Sequence, residues 1–347
     1  MQRTSRLDRE CSDDYVIDHF RPEDALAITA GFKTVYGDHY LSASVYDPDY
    51  FVKANRDGML RSYVARDRTG LVVGHLAMAR SAPFDGLREV SQGIVLPEHR
   101  QARLLSRLIY HLIGEAERMP ECCGLFGTAL TNHTISQRAL SKTGFQDIGF
   151  EIDYVPARMF DREGSANGAV ATVIQYLPVR RERWYPVHLP PLYADLLTDI
   201  FRRLGESRRF QPTAEALPTG RISALEMTDL PRFDMTRLFV RAAASDLSDE
   251  IASLERQAHA AGRRMLQAVL DLGNPACGPA ADLLRERGYW LGGLLPRWFD
   301  ADGLLLQKSL DKPNFPAIKT YSEDAGLLLQ LIQDDFASAP DGLSRAA

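Results

Sequence analysis

Three arginines, Arg100, Arg103 and Arg107, fall in or beside the turn that follows Pro97, where an apolar strand gives way to an amphipathic helix. Guanidinium groups beside the unpaired N–H groups of a helix start suit phosphate oxygens, and a pyrophosphate is the natural guest. Glu89 stands at the beginning of the same strand, where burial would raise its pKa, although a solvated strand-end charge beside Arg88 is the plain alternative. His75 and His133 are lone imidazoles, for which packed or capping roles are the simpler reading. The cysteines Cys11, Cys122, Cys123 and Cys277 lack metal spacing, and the adjacent Cys122 and Cys123 do not readily bridge each other. The histidines show no H-x-x-x-H pair and no Glu or Cys partner at ligand spacing, so no metal is expected.

These groups need elements to hold them. Residues 89–96 read as a strand that Pro97 ends, because proline has no N–H for the ladder and fixes its own φ. A helix starts near residues 100–103, since Leu104, Leu105, Leu108, Ile109, Leu112 and Ile113 recur at helical spacing. An ordinary buried helix with a basic outer face would show the same pattern. Upstream, residues 25–36 and 47–54 read as helices, and 61–66 with 71–79 as a hairpin around a polar, glycine-bearing loop. The segment joining the helices carries Asp38, His39, Tyr40 and Tyr46. Residues 124–130 form a further strand, followed by a short helix and Gly144-Phe145.

Residues 161–168 are polar, glycine-containing and aperiodic, marking a boundary between domains at 14–163 and 169–340. Beyond it, strands at 169–177, 221–225 and 236–240, helices at 192–204 and 247–261, and an apolar run at 265–272 are expected. Residues 271–290 repeat the plan of 124–145: Asn274 stands where Asn132 does, and Gly288-Tyr289 where Gly144-Phe145 does. Two common strand–helix–strand units would coincide in the same way by chance.

A chain of 347 residues, 45% hydrophobic, can bury two cores. The formal net charge of −5 gives no global reason to bind nucleic acid. No apolar run of about eighteen residues and no leader pattern occurs, so no membrane is expected and cytoplasm is the default location.

The segment Arg100-Gln101-Ala102-Arg103-Leu104-Leu105 resembles the central motif of the GNAT acyl-CoA N-acyltransferases, a strand, then R/Q-x-x-G-x-G/A, then a helix. Arg103 and Leu105 stand where that family has glycine and glycine or alanine. The opening Y-V-I-D-H-F-R-P-E-D-A and the later N-H-T-I-S-Q-R-A-L-S-K-T-G-F also resemble family patterns, in the right order. The whole chain resembles a tandem GNAT group. The resemblance implies an α/β fold of two tandem GNAT-like domains, each a mixed, mostly antiparallel central sheet flanked by helices, the second a degenerate copy without a phosphate cradle.

It implies, further, an enzyme that moves an acyl group, acetyl by default, from acetyl-CoA or another acyl-CoA directly to an amine of a small-molecule acceptor. Backbone groups of Gly93, Ile94 and Val95 would pair with the pantetheine, and Gln101, Ala102, Arg103, Leu104, Leu105 and Ser106 would wrap the pyrophosphate with Arg100. Asn132 would hold the pantetheine arm, with Ser136 one turn on. Glu89 would be the base, with His133 a further candidate. The family's acid, a tyrosine, is Leu140 here, and Tyr154 is the candidate replacement. The alternative is an acyl-CoA-sensing or scaffolding module without turnover. The small-molecule acceptor is the expected partner, and a homodimer is compatible with the second copy completing a subunit contact.

Overall fold

Proline and acidic residues fix how the first helix begins, and the rest of the first half builds outward from it. The computed structural model describes residues 14–38, 40–160, 166–180 and 185–340. After β1 (Tyr15–His19), a 3-10 turn at Pro22–Asp24 leads into α1 (Ala25–Tyr36). Asp24 is buried, yet its carboxylate accepts two 2.8 Å bonds from Arg66 and one of 2.7 Å from the Arg21 N–H. A buried carboxylate is tolerable only when paired in this way. Asp47 caps α2 (Pro48–Arg56), accepting from the Asp49 N–H at 3.0 Å. The hairpin of β2 (Leu60–Asp67) and β3 (Val72–Ala79) turns where Asp67 accepts from the N–H groups of Thr69 and Leu71, with Gly70 at φ 85°. Then come β4 (Leu87–Val95), α3 (Leu104–Arg118), β5 (Gly124–Leu130), α4 (Ile135–Lys142), β6 (Gln146–Val155) and β7 (Val170–Pro178).

The second half contains β8 (Pro186–His188), α5 (Ala194–Leu204), β9 (Arg209–Gln211), β10 (Ala224–Leu230), β11 (Met235–Ala242) and α6 (Leu247–Ala260). It ends with β12 (Met265–Asp271), α7 (Cys277–Glu286), β13 (Trp290–Leu295), β14 (Gly303–Ser309) and α8 (Glu323–Ser338). Strands β8 and β9 form a separate parallel pair. The other twelve strands make one sheet in the order β1-β2-β3-β4-β5-β7-β6-β13-β14-β12-β11-β10. Only β4–β5 and β11–β12 are parallel within it, so the mixed, mostly antiparallel sheet flanked by helices is as expected.

The expected opening strand of the second domain, residues 169–177, is β7, which is hydrogen-bonded between β5 and β6 of the first half. Buried on both faces, its Val170–Tyr176 stretch is mostly apolar because it lies inside the sheet, and its two polar side chains, Thr172 and Gln175, are hydrogen-bonded to Glu151 and Ser141. From the seam outward, β13-β14-β12-β11-β10 repeats the order β6-β7-β5-β4-β3. The local bonding repeats too. Val179 N–H donates to Cys123 O at 3.0 Å and Leu310 N–H to Arg264 O at 2.9 Å. Phe145 N–H donates to Leu140 O at 3.2 Å and Tyr289 N–H to Leu284 O at 3.0 Å, behind Gly144 and Gly288, both at positive φ.

The halves meet where β6 and β13 pair at Gly149 and Gly293. A methyl group on Gly149 would stand 2.9 Å from Gly292 O, so only glycine admits this close approach. Helix α8 packs on both β6 and β13 and covers the seam on one face. The Ser322 hydroxyl caps α8 by accepting from the Ala325 N–H at 2.9 Å and itself donates to Asp147 on β6. Among the described residues, no helix is long and apolar enough to cross a membrane.

Candidate active site

Strands β4 and β5 run parallel but pair only at Leu87–Gly124, Arg88–Leu125 and Glu89–Phe126. Beyond Glu89 they part. The cause is a bulge in β4: Ser91 faces Ala77 and Ile94 faces His75, so Gln92 and Gly93 together oppose Leu76, with Gln92 at φ 53°. His75, fully buried against Phe32 and Phe51, holds the bulge through its Nδ1, 2.9 Å from Gln92 O. A carbonyl only accepts, so Nδ1 carries the proton. The equivalent strands of the second half, β11 and β12, stay paired over six positions from Met235–Met265 to Val240–Leu270. One half has a wedge with free backbone groups along β4; the other is closed.

Parallel strands put their C-terminal ends, and hence the N-termini of α3 and α4, at one edge of the wedge, where ligands bind in α/β sheets. The helix expected near residues 100–103 instead begins at Leu104, after a 3-10 turn at Pro97–Ala102 that contains Arg100, Gln101 and Ala102. Arg103 takes the left-handed conformation, φ 53° and ψ 29°, that glycine adopts more easily. Holding an arginine in it costs about 1–2 kcal/mol. Arg107 N–H bonds to Arg103 O at 3.2 Å, so the N–H groups of Leu104, Leu105 and Ser106 precede the first intrahelical bond. Arg100 and Arg103 are exposed, and Arg100 Nε donates to Val95 O at 3.3 Å. Arg107 points away from this group and donates to Tyr15 O at 3.0 Å. The Leu105 side chain lies over Gly93, where an added Cβ would be 3.3 Å away.

Asn132 and His133 occupy the turn after β5, and Ser136 lies in the first turn of α4, all partly buried. Leu140 is buried and packs on Gly127 of β5.

Side chains alternate along β5, so Phe126 and Thr128 face away from Gly127 and α4. On that side, a cavity of about 380 Å³ lies between the two halves. Glu89, Glu151 and Tyr154 line it from the first half, and Arg237, Phe239 and Trp298 from the second. Burial raises the Glu89 pKa, the nearby Glu151 charge adds to this, and a hydrogen bond from Ser81 and the charge of Arg237 oppose it. Arg237 pairs with Glu151 and donates to Gln267 Oε1 at 2.7 Å, while Thr172 Oγ1 donates to Glu151 at 3.0 Å. Tyr154, stacked on Phe233 with ring centroids 4.7 Å apart, has its phenol pushed well above its usual range by burial.

Glu89 and Tyr154 thus share one cavity. His133 does not line it and sits with Asn132 at the α4 edge of the wedge. In the segment joining α1 and α2, Tyr40 O accepts from Arg232 of the second half at 2.7 Å, and Tyr40 feels the Glu89 charge. His39 lies outside the described residues, as do Cys11 and residues 161–165 of the expected boundary. Glu151, Arg237 and Trp298 escaped the sequence reading. Arg237, one charged residue inside the apolar strand M-T-R-L-F-V, was the available signal.

No model of a protein family matches the sequence, and no curated relative does. Solved structures are similar over about half of it. An N-acetyltransferase from Staphylococcus aureus Mu50 is 15% identical, covering 48% of this chain and 99% of its own, with a TM-score of 0.41. A Salmonella typhimurium protein assigned as an acetyltransferase and solved with its cofactor acetyl-CoA is 18% identical over 50% of this chain and 98% of its own, with a TM-score of 0.42. A spermidine/spermine N-acetyltransferase from Vibrio cholerae, in mutant forms, is 12% identical over 48% and 95%, with a TM-score of 0.39.

Proposed function

We propose that the protein is an acyl-CoA-dependent N-acyltransferase acting on a small-molecule amine, with one acyl-CoA site, in its first half. The observation that carries this reading is the wedge: β4–β5 pairing stops at Glu89 and Phe126, whereas β11–β12 pairing is unbroken. An extended chain bearing amides fits between strands only where their backbone groups are free. On this reading, the backbone of Gly93, Ile94 and Val95, beyond the last β4–β5 pair, would meet the pantetheine. The N–H groups from Leu104 to Ser106, with Arg100 and Arg103, suit a pyrophosphate. Asn132 and Ser136 flank the gap from the α4 side.

Acyl-CoA supplies an acyl group activated as a thioester. The chain's own part is to position the acceptor and manage its proton. Glu89 takes the proton from the incoming ammonium group, for which a raised pKa matches a base working near neutral pH. Glu151 is paired with Arg237, which leaves Glu89 as the carboxyl in the cavity available to meet a cationic amine. Its volume of about 380 Å³ suits a small molecule. Tyr154 is the phenol available to return a proton; Leu140, buried on Gly127, supplies none. That leucine favours the second reading, acyl-CoA binding without turnover.

On this proposal the chain is a tandem of two related units, with the seam after Pro178 rather than at residues 161–168, and the second unit forms the far wall of the acceptor cavity. Calorimetric titration with acetyl-CoA and CoA tests it. One equivalent should bind, and Arg100→Ala with Arg103→Ala together should weaken binding by about tenfold or more. An amine screen by thiol release follows. Absence of binding to folded protein would remove both readings, and binding without thiol release for any amine would leave the second.

A further inference from the structure

His19, His111 and Glu115 come together on the far side of α3 from the wedge. His111 and Glu115 are four residues apart on α3 and share one face, an i, i+4 pair that the sequence reading missed. His19 arrives from the end of β1, and one ligand atom from each of the three lies within 4.8 Å of the others. His19 Nε2 is 3.9 Å from a Glu115 oxygen, and the two imidazole centroids are 5.8 Å apart. Two further features are unusual for a plain surface cluster. His111 Nε2 is buried without a hydrogen-bond partner among the described residues, and so is the hydroxyl of Tyr63. The Tyr63 ring packs edge-on against His111 at 5.1 Å and lies 5.5 Å from His19.

A buried polar atom without a partner is costly, and two in one cluster call for a common guest. We propose that His19, His111 and Glu115 form a binding site for a divalent transition metal, zinc in the first instance. Imidazole and carboxylate are the ligands that such ions take, at about 2.0–2.2 Å, and three protein ligands leave a further position for water. Ligand atoms on one tetrahedral ion at that distance are about 3.3–3.6 Å apart, so the three atoms, now within 4.8 Å of one another, close in when the ion binds. The Arg118–Glu115 ion pair is no obstacle, because Arg118 is largely exposed and its pairing is worth little. The ion would tie β1 to α3. Tyr15 of β1 already contacts the anion-binding turn, its hydroxyl 2.9 Å from His99 Nδ1. The bound ion would therefore brace the helix whose N-terminus faces the wedge. The site stands or falls independently of the transferase reading.

The test uses the full chain, stripped with chelator and titrated with zinc chloride by calorimetry, with cobalt(II) visible absorption as a second readout. One saturable equivalent is expected, with a rise in melting temperature. His19→Ala and Glu115→Gln should each weaken binding by about tenfold or more, since even outer-shell changes cost about that much. His259→Ala, at an exposed histidine elsewhere, should leave binding unchanged. The His19 side chain is 63% exposed, so its loss does not threaten folding. No uptake of zinc or cobalt, or uptake that His19→Ala leaves unchanged, would overturn the proposal.

Discussion

His75 should make the protein markedly acid-sensitive, and the size of the effect follows from its surroundings. Burial among Phe32 and Phe51 pushes its pKa from 6.5 to about 4. With Nδ1–H bonded to Gln92 O, a second proton would go to Nε2, which has no partner among the described residues. The folded-state pKa is depressed, so the unfolded chain binds the proton more readily between pH 6.5 and 4. Stability is then full above pH 6.5 and is lost as pH falls toward 4. At pH 5 the loss is about 1.5 pH units of linkage, or about 2 kcal/mol, rising to about 3 kcal/mol by pH 4 and below. His75→Leu removes the titration, although leaving Gln92 O unpaired costs about 1–3 kcal/mol at every pH. The assay is urea unfolding of both proteins at pH 7 and pH 5. Other carboxylates and histidines cancel in the difference, so the wild type should lose about 2 kcal/mol more than the variant. Stabilities that fall in parallel, within about 0.5 kcal/mol, would refute the assignment of a neutral His75 clamping the bulge.

Three other changes probe the seam, the cavity and the tether between halves. Gly149→Ala puts a methyl group 2.9 Å from Gly292 O and 3.1 Å from Gly293 Cα. It should cost about 1–3 kcal/mol in denaturant unfolding, while acyl-CoA affinity, read by calorimetry, stays unchanged. Glu89→Gln should lower kcat/KM by about 10²–10⁴-fold without weakening acyl-CoA binding. In the wild type, kcat/KM should fall as pH drops through a value above the ordinary glutamate range, as thiol release against pH would record. Asp153, which accepts from the Asn314 N–H at 3.1 Å, has its carboxyl raised to about 6 by burial. Its folded pKa is elevated, so it costs stability as pH rises from about 4 to 6. Asp153→Asn should therefore stabilise the protein at pH 7, on the order of 1–2 kcal/mol after solvent screening, and not at pH 4. Asparagine keeps the acceptor and tolerates the φ of 51° at this position.

Local chemistry made the first half legible. Pro97 ended β4, the apolar spacing from Leu104 to Ile113 marked α3, and the Asp67–Gly70 loop marked the hairpin, because each signal acts on its own neighbours. Strand β5 was expected at residues 124–130 and is found at Gly124–Leu130. Strands β13 and β14 went unassigned, since short apolar runs buried on both faces carry no period that separates strand from helix. The order of strand, turn and helix marked the end of β4 where Arg100 and Arg103 are exposed, but nothing in the residue types announced the left-handed backbone of Arg103.

By itself, then, the sequence determined the order of elements from β1 to α4, the basic turn at the end of β4, the carboxylate near its start and the repeat of Gly144-Phe145 at Gly288-Tyr289. Tertiary structure alone decided that β7 inserts between β5 and β6, that β4 leaves β5 after Glu89, and that Arg237 and Trp298 close a cavity begun by Glu89 and Tyr154. It also brought His19 to His111 across 92 residues of chain. Periodicity and turn chemistry are properties of neighbouring residues. Which strand edge is paired, and which side chains from distant strands share a cavity, depends on the packing of the whole sheet.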